Sequence, residues 1–264
     1  MKKFEFTGET KTTINGIVLH RIKALVRIDL GYSTIIEVGD LGGWLEKEDN
    51  LSYLGNAWVS GDAEVFGDAK IYGDALISGY SRVFGNARVF GNARVYNHAW
   101  VFGNARVYNH TWVFGNAQVS GYAWIYGHAQ VFGDAIVADS AWVFGDSEVS
   151  DHAQVFGDAK VLGDAKIYGD SKIYGDSKVY DDACINKCSH ILNIGPIGSR
   201  NEFTTFFRTK DRKIKVSCGC FLGTIDEFLE KVEQTHGDSK HAIVYKAAAD
   251  IALAQIDTSD EDDT

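Results

Sequence analysis

Eight histidines are spread through the chain, and two of them, His110 and His128, stand eighteen residues apart with Asp146 eighteen further on. In a chain that repeats with that period these side chains form one column. A His–His–Asp column can bind a metal or activate a hydroxyl by general-base catalysis. His98 and His152 also stand where most neighbouring segments carry Asn or Asp, which favours a plain turn role. His110 and His128 are therefore weak catalytic candidates. Cys184, Cys188, Cys218 and Cys220, with His190, supply zinc-type donors, but their spacing does not match the usual CxxC pairs, and no metal or other cofactor is assigned. The loop Gly195-Pro196-Ile197-Gly198-Ser199-Arg200 can cradle an anion with its backbone N–H groups, with Arg208 and Lys210 nearby. Gly198, Ser199, Arg200 and Arg208 are the ligand-binding candidates; a tight turn is the plainer reading.

The elements that position these groups are set by a repeat. The chain has 264 residues, 28 of them glycine and one, Pro196, proline. From Gly55 to Leu192 it divides into 23 consecutive hexapeptides such as GDAEVF and GNARVY. The fifth position is Val or Ile in all 23, the third is Ala in 17, and the first is Gly in 17. Positions three and five lie two apart, so on a strand they share a side, one small and one β-branched. Position four points the other way and holds Trp, Lys, Arg, Gln and Glu. Gly followed by Asp or Asn is a turn signal. Short strands with a corner every six residues describe a coil of parallel strands. Proline would remove a ladder hydrogen bond, so its absence fits.

The pattern resembles the hexapeptide-repeat family. That resemblance implies a left-handed parallel β-helix of triangular section, with three hexapeptides per turn, and hence seven to eight turns spanning roughly 35 Å. The stretch GDLGGWLEKEDNLS at 39–52 is similar to a phage and prophage branch that includes enterobacterial transferase-like proteins. The segments NIGPIGSRNEFTTFFRTKD and GCFLGTIDEFLEKVEQTHG resemble a C-terminal module of phage proteins in that branch. Enzymes of the wider family are mostly acyltransferases with a catalytic His between subunits of a trimer. Here no loop interrupts the repeat, and Phe, Tyr or Ser replaces the Gly that follows the aliphatic residue in those enzymes.

The expected architecture is an all-β solenoid: a β-rich N-terminal cap at 1–54, the β-helix at 55–192, and a small α+β module at 193–264. In the cap, strands are expected at Gly16–Ile22, Ala24–Leu30 and Ser33–Val38, with Trp44 and Leu45 covering the first turn. In the module, Thr204–Thr209 and Lys213–Ser217 read as a hairpin. Thr224 and Glu227 form a capping box that opens a helix ended by Gly237. A second helix, about Lys240–Ile256, presents Ile243, Val244, Ala247, Ala248 and Ile251. The tail DTSDEDDT reads as disordered.

With three units per turn, one face stacks Lys70, Arg88, Arg106, Trp124, Trp142, Lys160 and Lys178 at position four. Beside them run Tyr72, Phe90, Tyr108, Tyr126, Phe144, Leu162 and Tyr180. Aromatics with Arg are the composition of interface hot spots. Tyr72, Arg88, Phe90, Arg106, Tyr108, Trp124, Tyr126, Trp142 and Phe144 are the interface candidates.

Apolar residues make up 45% of the chain and net charge is −10, which argues against a disordered chain and against generic nucleic-acid binding. No apolar run reaches membrane-spanning length. No secretory signal is read at the N-terminus, so a cytoplasmic protein with free thiols is expected. The expectation is a non-enzymatic, self-associating binding protein of phage type, a homo-oligomer with a trimer favoured. It engages a host protein or an anionic small molecule. The alternatives are an acyltransferase using His110 or His128, and a sponge that sequesters a nucleotide immune signal.

Overall fold

The computed structural model describes residues 2–31 and 33–259. Five strands come first: β1 (Phe4–Thr12), β2 (Val18–Ala24), β3 (Ile28–Asp29), β4 (Ile35–Ile36) and β5 (Leu41–Leu45). Two-residue strands β6 to β27 then run from Trp58–Val59 to Cys184–Ile185. Up to β24, each pairs in parallel with the strand eighteen residues on: Arg82 with Trp100, Arg88 with Arg106, Arg94 with Trp112. Three columns of strands result, and the molecule is a parallel β-solenoid with three sheet faces.

The corners explain the glycines. The first residue of each repeat takes a left-handed conformation, as at Gly73 (φ 70°). Where glycine is absent, Asn97, Asn109, Asp139, Asp151 and Asp181 hold the same geometry, at φ between 51° and 63°. Asn and Asp tolerate this region better than other side chains. Two of them also bond the next turn: the N–H groups of Gly157 and Gly169 donate to the Asp139 and Asp151 carboxylates at 3.0 and 3.1 Å. Lys187 is the one first-position residue of a different kind. Its φ is −136°, the corner gives way to a 3-10 turn at Cys188–His190, and the coil ends there.

Between the faces, the Ala of position three and the Val or Ile of position five are fully buried. From Ser81 to Ser177, where position three is Ser or Thr, its hydroxyl donates to the carbonyl three residues back: Ser81 to Ser78 at 2.8 Å, Ser147 to Phe144 at 2.9 Å, Ser177 to Tyr174 at 2.6 Å. A buried hydroxyl thus keeps a partner inside an apolar column.

At the N-terminal end each face exposes strand-edge carbonyls, and each is closed differently. Strand β5 joins one face in parallel, with Trp44 opposite Glu64 and Leu45 opposite Val65. The Asn50 amide donates to the Gly67 and Ala69 carbonyls, both at 3.0 Å. The buried Lys3 ammonium donates to the Ala57 carbonyl at 2.7 Å and to that of Gly55 at 3.2 Å. Burial lowers the Lys3 pKa to about 8, opposed by the Asp74 carboxylate. The sequence reading placed no strand at Phe4–Thr12; there β1 pairs antiparallel with β2.

The C-terminal module is an antiparallel sheet of β28 (Ile191–Ile197), β29 (Glu202–Arg208), β30 (Ile214–Cys218) and β31 (Phe221–Thr224), with α1 (Ile225–His236) and α2 (Lys240–Gln255). Ile191 opens this sheet while its side chain still joins the core of the coil. The capping box forms: Thr224 Oγ1 accepts from the Glu227 N–H at 3.3 Å, and the Glu227 carboxylate accepts from the Thr224 N–H at 2.8 Å. The buried face of α2 differs from the expected one. Ala242, Tyr245, Ala248, Ala249 and Ala252 face the core, whereas Ile243, Val244 and Ile251 are exposed. Apolar residues fall on every side of the helix, so its pattern does not single out a face, and small side chains allow the closest approach. Residues 260–264 of the acidic tail lie outside the described residues.

Candidate functional site

The face formed by β8, β11, β14, β17, β20, β23 and β26, Lys70–Ile71 to Lys178–Val179, carries the basic and aromatic columns. Its register brings Lys70, Arg88, Arg106, Trp124, Trp142, Lys160 and Lys178 into consecutive pairs. Beside them Tyr72, Phe90, Tyr108, Tyr126 and Phe144 stack ring on ring, with centroids 4.7 to 5.2 Å apart and planes within 6° of parallel. The spacing follows from the strand ladder, whose repeat is about 4.8 Å. Trp124 and Trp142 stack in the same way at 5.1 Å. The other faces hold shorter ring stacks, Phe66–Phe84–Phe102 and Tyr96–Phe114–Phe132. Trp100 and Trp112, on those faces, are more exposed than the stacked Trp124 and Trp142.

The charge pattern separates this face from its neighbours. None of its position-four residues is acidic, whereas the other two faces carry Glu64 and Glu148 there. The Arg106 guanidinium lies over Trp124, and the Lys160 ammonium over Trp142, each 4.8 Å from the ring centroid. Such contacts leave the positive charge uncancelled. Lys70 pairs with Asp49 at 3.5 Å, while Arg88 has no carboxylate partner among the described residues. The corners beside Arg88 and Arg106 are neutral, including Asn86, Asn104 and Asn92, whereas Asp139 and Asp146 flank Trp142, and Asp68, Asp74, Asp158 and Asp164 lie at the ends of the face. On a chain of net charge −10 this concentrates positive potential on Arg88 and Arg106. Burial pushes the phenols of Tyr72, Tyr108 and Tyr126 up, so they remain neutral donors.

Both ends of the face meet overhanging chain, which the repeat pattern gave no means to see. At the N-terminal end a cleft of about 500 Å³ is lined by Ser52 and Leu54 on one side and Lys70, Tyr72 and Arg88 on the other. At the far end a cleft of about 490 Å³ separates Lys160 and Lys178 from Pro196, Asn201 and Phe203. The freely approachable part is the middle, from Arg106 to Trp142.

His110 and His128 do stack, with rings 4.9 Å apart, at an exposed corner. The Asn92 amide lies 3.3 Å from His110 Nε2. A shallow cleft of about 210 Å³ there adds Arg94, Trp112 and Gln130. None of the residues lining this cleft carries a hydroxyl, thiol or carboxylate. The cysteines do not gather into a metal-binding group among the described residues: Cys184 lies beside the Tyr168 hydroxyl at 3.4 Å and Cys188 by the Asp170 carbonyl at 3.7 Å, while Cys218, by Thr204 at 3.3 Å, and Cys220, by Arg200 at 3.7 Å, line one cavity of the C-terminal module.

Of the ligand-loop residues, Ser199 and Arg200 line a cavity in the C-terminal module. Gly198 packs against the Tyr245 ring, where a Cβ would collide. Arg208 lies elsewhere: it is buried and its Nη1 sits 2.9 Å from His190 Nε2. Sequence reasoning missed Lys231, His236 and Tyr245, which complete the cavity. Their i, i+5 and i+14 spacing across two helices carries no recognisable signal.

No curated protein sequence matches the chain. A family profile described as YdcK Beta solenoid repeat matches residues 81–97, 87–101 and 129–145. These stretches fall within the coil, and in them the chain is similar to a β-solenoid repeat family, in agreement with its parallel β-solenoid fold.

Proposed function

We propose that the protein is a self-associating binding scaffold with no chemistry of its own, whose copies meet through the middle of the basic and aromatic face. The observation that carries this reading is the stacked Trp124–Trp142 pair beside Arg106 on a face whose position-four residues include no carboxylate. Stacked indoles bury readily, and an Arg beside them can pair with the acidic corners of a second copy. Basic face against acidic corner is a heterologous contact, which closes into a ring; a trimer suits three-sided columns. The resemblance of residues 39–52 and of the C-terminal segments to phage proteins supports a phage-type scaffold that engages a host protein. Native mass spectrometry and light scattering test the reading. The wild-type chain is expected as an oligomer, and Trp124→Glu with Trp142→Glu as a folded monomer. An oligomer unchanged by both substitutions removes it.

One observation favours a second reading. Arg88, without a carboxylate partner among the described residues, lines the N-terminal cleft with Lys70 and Tyr72. A cation beside an aromatic stack suits an anionic aromatic molecule such as a nucleotide, held and released intact. A small molecule released unchanged on denaturation, and lost in Arg88→Ala, supports sequestration. Turnover abolished by His110→Ala or His128→Ala would replace both readings by a transferase.

A further inference from the structure

The cavity in the C-terminal module, about 270 Å³, lies apart from the coil face, and its lining combines aromatic and basic side chains. Its inner wall is Phe228 and Val232 of α1, both buried, with the Tyr245 ring meeting Phe228 edge-on at 5.6 Å. Its rim carries Arg200, Lys231 and His236, and no carboxylate lines it. Arg200 and Lys231 have no ion pair among the described residues, although the chain carries ten more carboxylates than Lys and Arg. Unpaired cations around an apolar wall call for an anion with an apolar body.

The rim is built rather than loose. The bare backbone of Gly219 lets the Arg200 side chain pass: a Cβ there would lie 2.8 Å from Nη1. Gly198 likewise makes room for the Tyr245 ring. Burial, with Cys218 beside it, pushes the Tyr245 phenol pKa up, so it faces the cavity as a neutral hydroxyl. His236 lies against the same ring at 5.7 Å, which fixes the imidazole at the rim.

We infer that this cavity binds a small organic oxyanion. A phosphate or carboxylate head sits on Arg200, Lys231 and His236, and a short apolar or aromatic body lies against Phe228 and Val232. The volume equals the space of about nine waters at roughly 30 Å³ each, so the ligand is smaller than a dinucleotide. The inference does not rest on self-association: the cavity can bind in a monomer, and an oligomer can form with the cavity empty.

Cys220 lines the cavity and is exposed, so its alkylation reports occupancy, with the exposed Cys188 of the coil as internal control. Phenyl phosphate, benzoate, inorganic phosphate and phenol are titrated into the intact protein. Iodoacetamide labelling of each cysteine is followed by mass spectrometry, and amide shifts by NMR. Phenyl phosphate, benzoate or both slow Cys220 labelling with Cys188 unchanged, and shift the amides of Ser199, Cys220 and Lys231. Which of the two binds more tightly identifies the head group. Arg200→Gln and Lys231→Gln, both at exposed positions, each weaken binding about tenfold without changing the fold. Protection by phenol equal to that by phenyl phosphate overturns the anion requirement. Inorganic phosphate binding as tightly as phenyl phosphate overturns the apolar body. No protection by any probe at millimolar concentration, or full affinity in Arg200→Gln, overturns the site.

Discussion

The coil and the C-terminal module both bury apolar side chains under an antiparallel or parallel sheet, but they distribute the burden in opposite ways. In the coil nearly every turn contributes the same Ala and Val or Ile, and each strand hydrogen-bonds only to its neighbours above and below. Its stability is close to a sum of equal local terms. In the module, few large groups do the work: Phe206, Phe228 and Tyr245 meet edge to face at one point, with Phe228 touching both others. The coil therefore tolerates loss of one side chain, whereas the module depends on a hub.

The sharpest test of that contrast is Phe228→Ala, expected to cost about 3–5 kcal/mol and to unfold the module while the coil keeps its strand signal. Uniform loss of both regions in one transition would show that they are a single cooperative unit. Next is the coil end. Lys3→Met leaves the Gly55 and Ala57 carbonyls without their donor, at an expected cost of about 1–2 kcal/mol, seen as faster hydrogen exchange in the first turn. The Lys3 pKa, lowered to about 8 by burial, adds a pH signature. Between pH 8 and the ordinary lysine value of 10.5 the unfolded chain holds more protons than the folded one, so this group's contribution rises with pH across that window. The Lys3→Met variant lacks that rise. Third, Gly127→Ala, at φ 80° and facing the Gly145 backbone, is expected to cost about 1–2 kcal/mol, confined to its own turn. The smallest effect is Ser147→Ala, within about 0.5 kcal/mol, because Ala fills the same slot in most turns.

The same contrast explains what the sequence made legible. A column of identical residues states its own direction, so the inward Val and Ile, the outward cations and the eighteen-residue register were readable from Gly55 onward. Even the end of the coil is marked, by Lys187 where a residue tolerant of positive φ is required. What occurs once leaves no such record. Lys3 and Asn50 are ordinary polar residues in sequence, and only the strand edges above them make them caps. The second helix offers apolar side chains on all sides, and the choice of Tyr245 over Ile243 is made by Phe228 from another helix. The pairing of Ser199 and Arg200 with Lys231 and His236 is likewise a product of module packing.

The two segments that overhang the basic and aromatic face stand at opposite ends of the coil, joined by turns that are interchangeable. Inserting or deleting eighteen residues would move one overhang relative to the other by a single rung, about 4.8 Å, without rebuilding either. The distance between the clefts at Leu54 and at Phe203 thus behaves as a stepped gauge. Variation in repeat number would change the separation of the two clefts while leaving both intact.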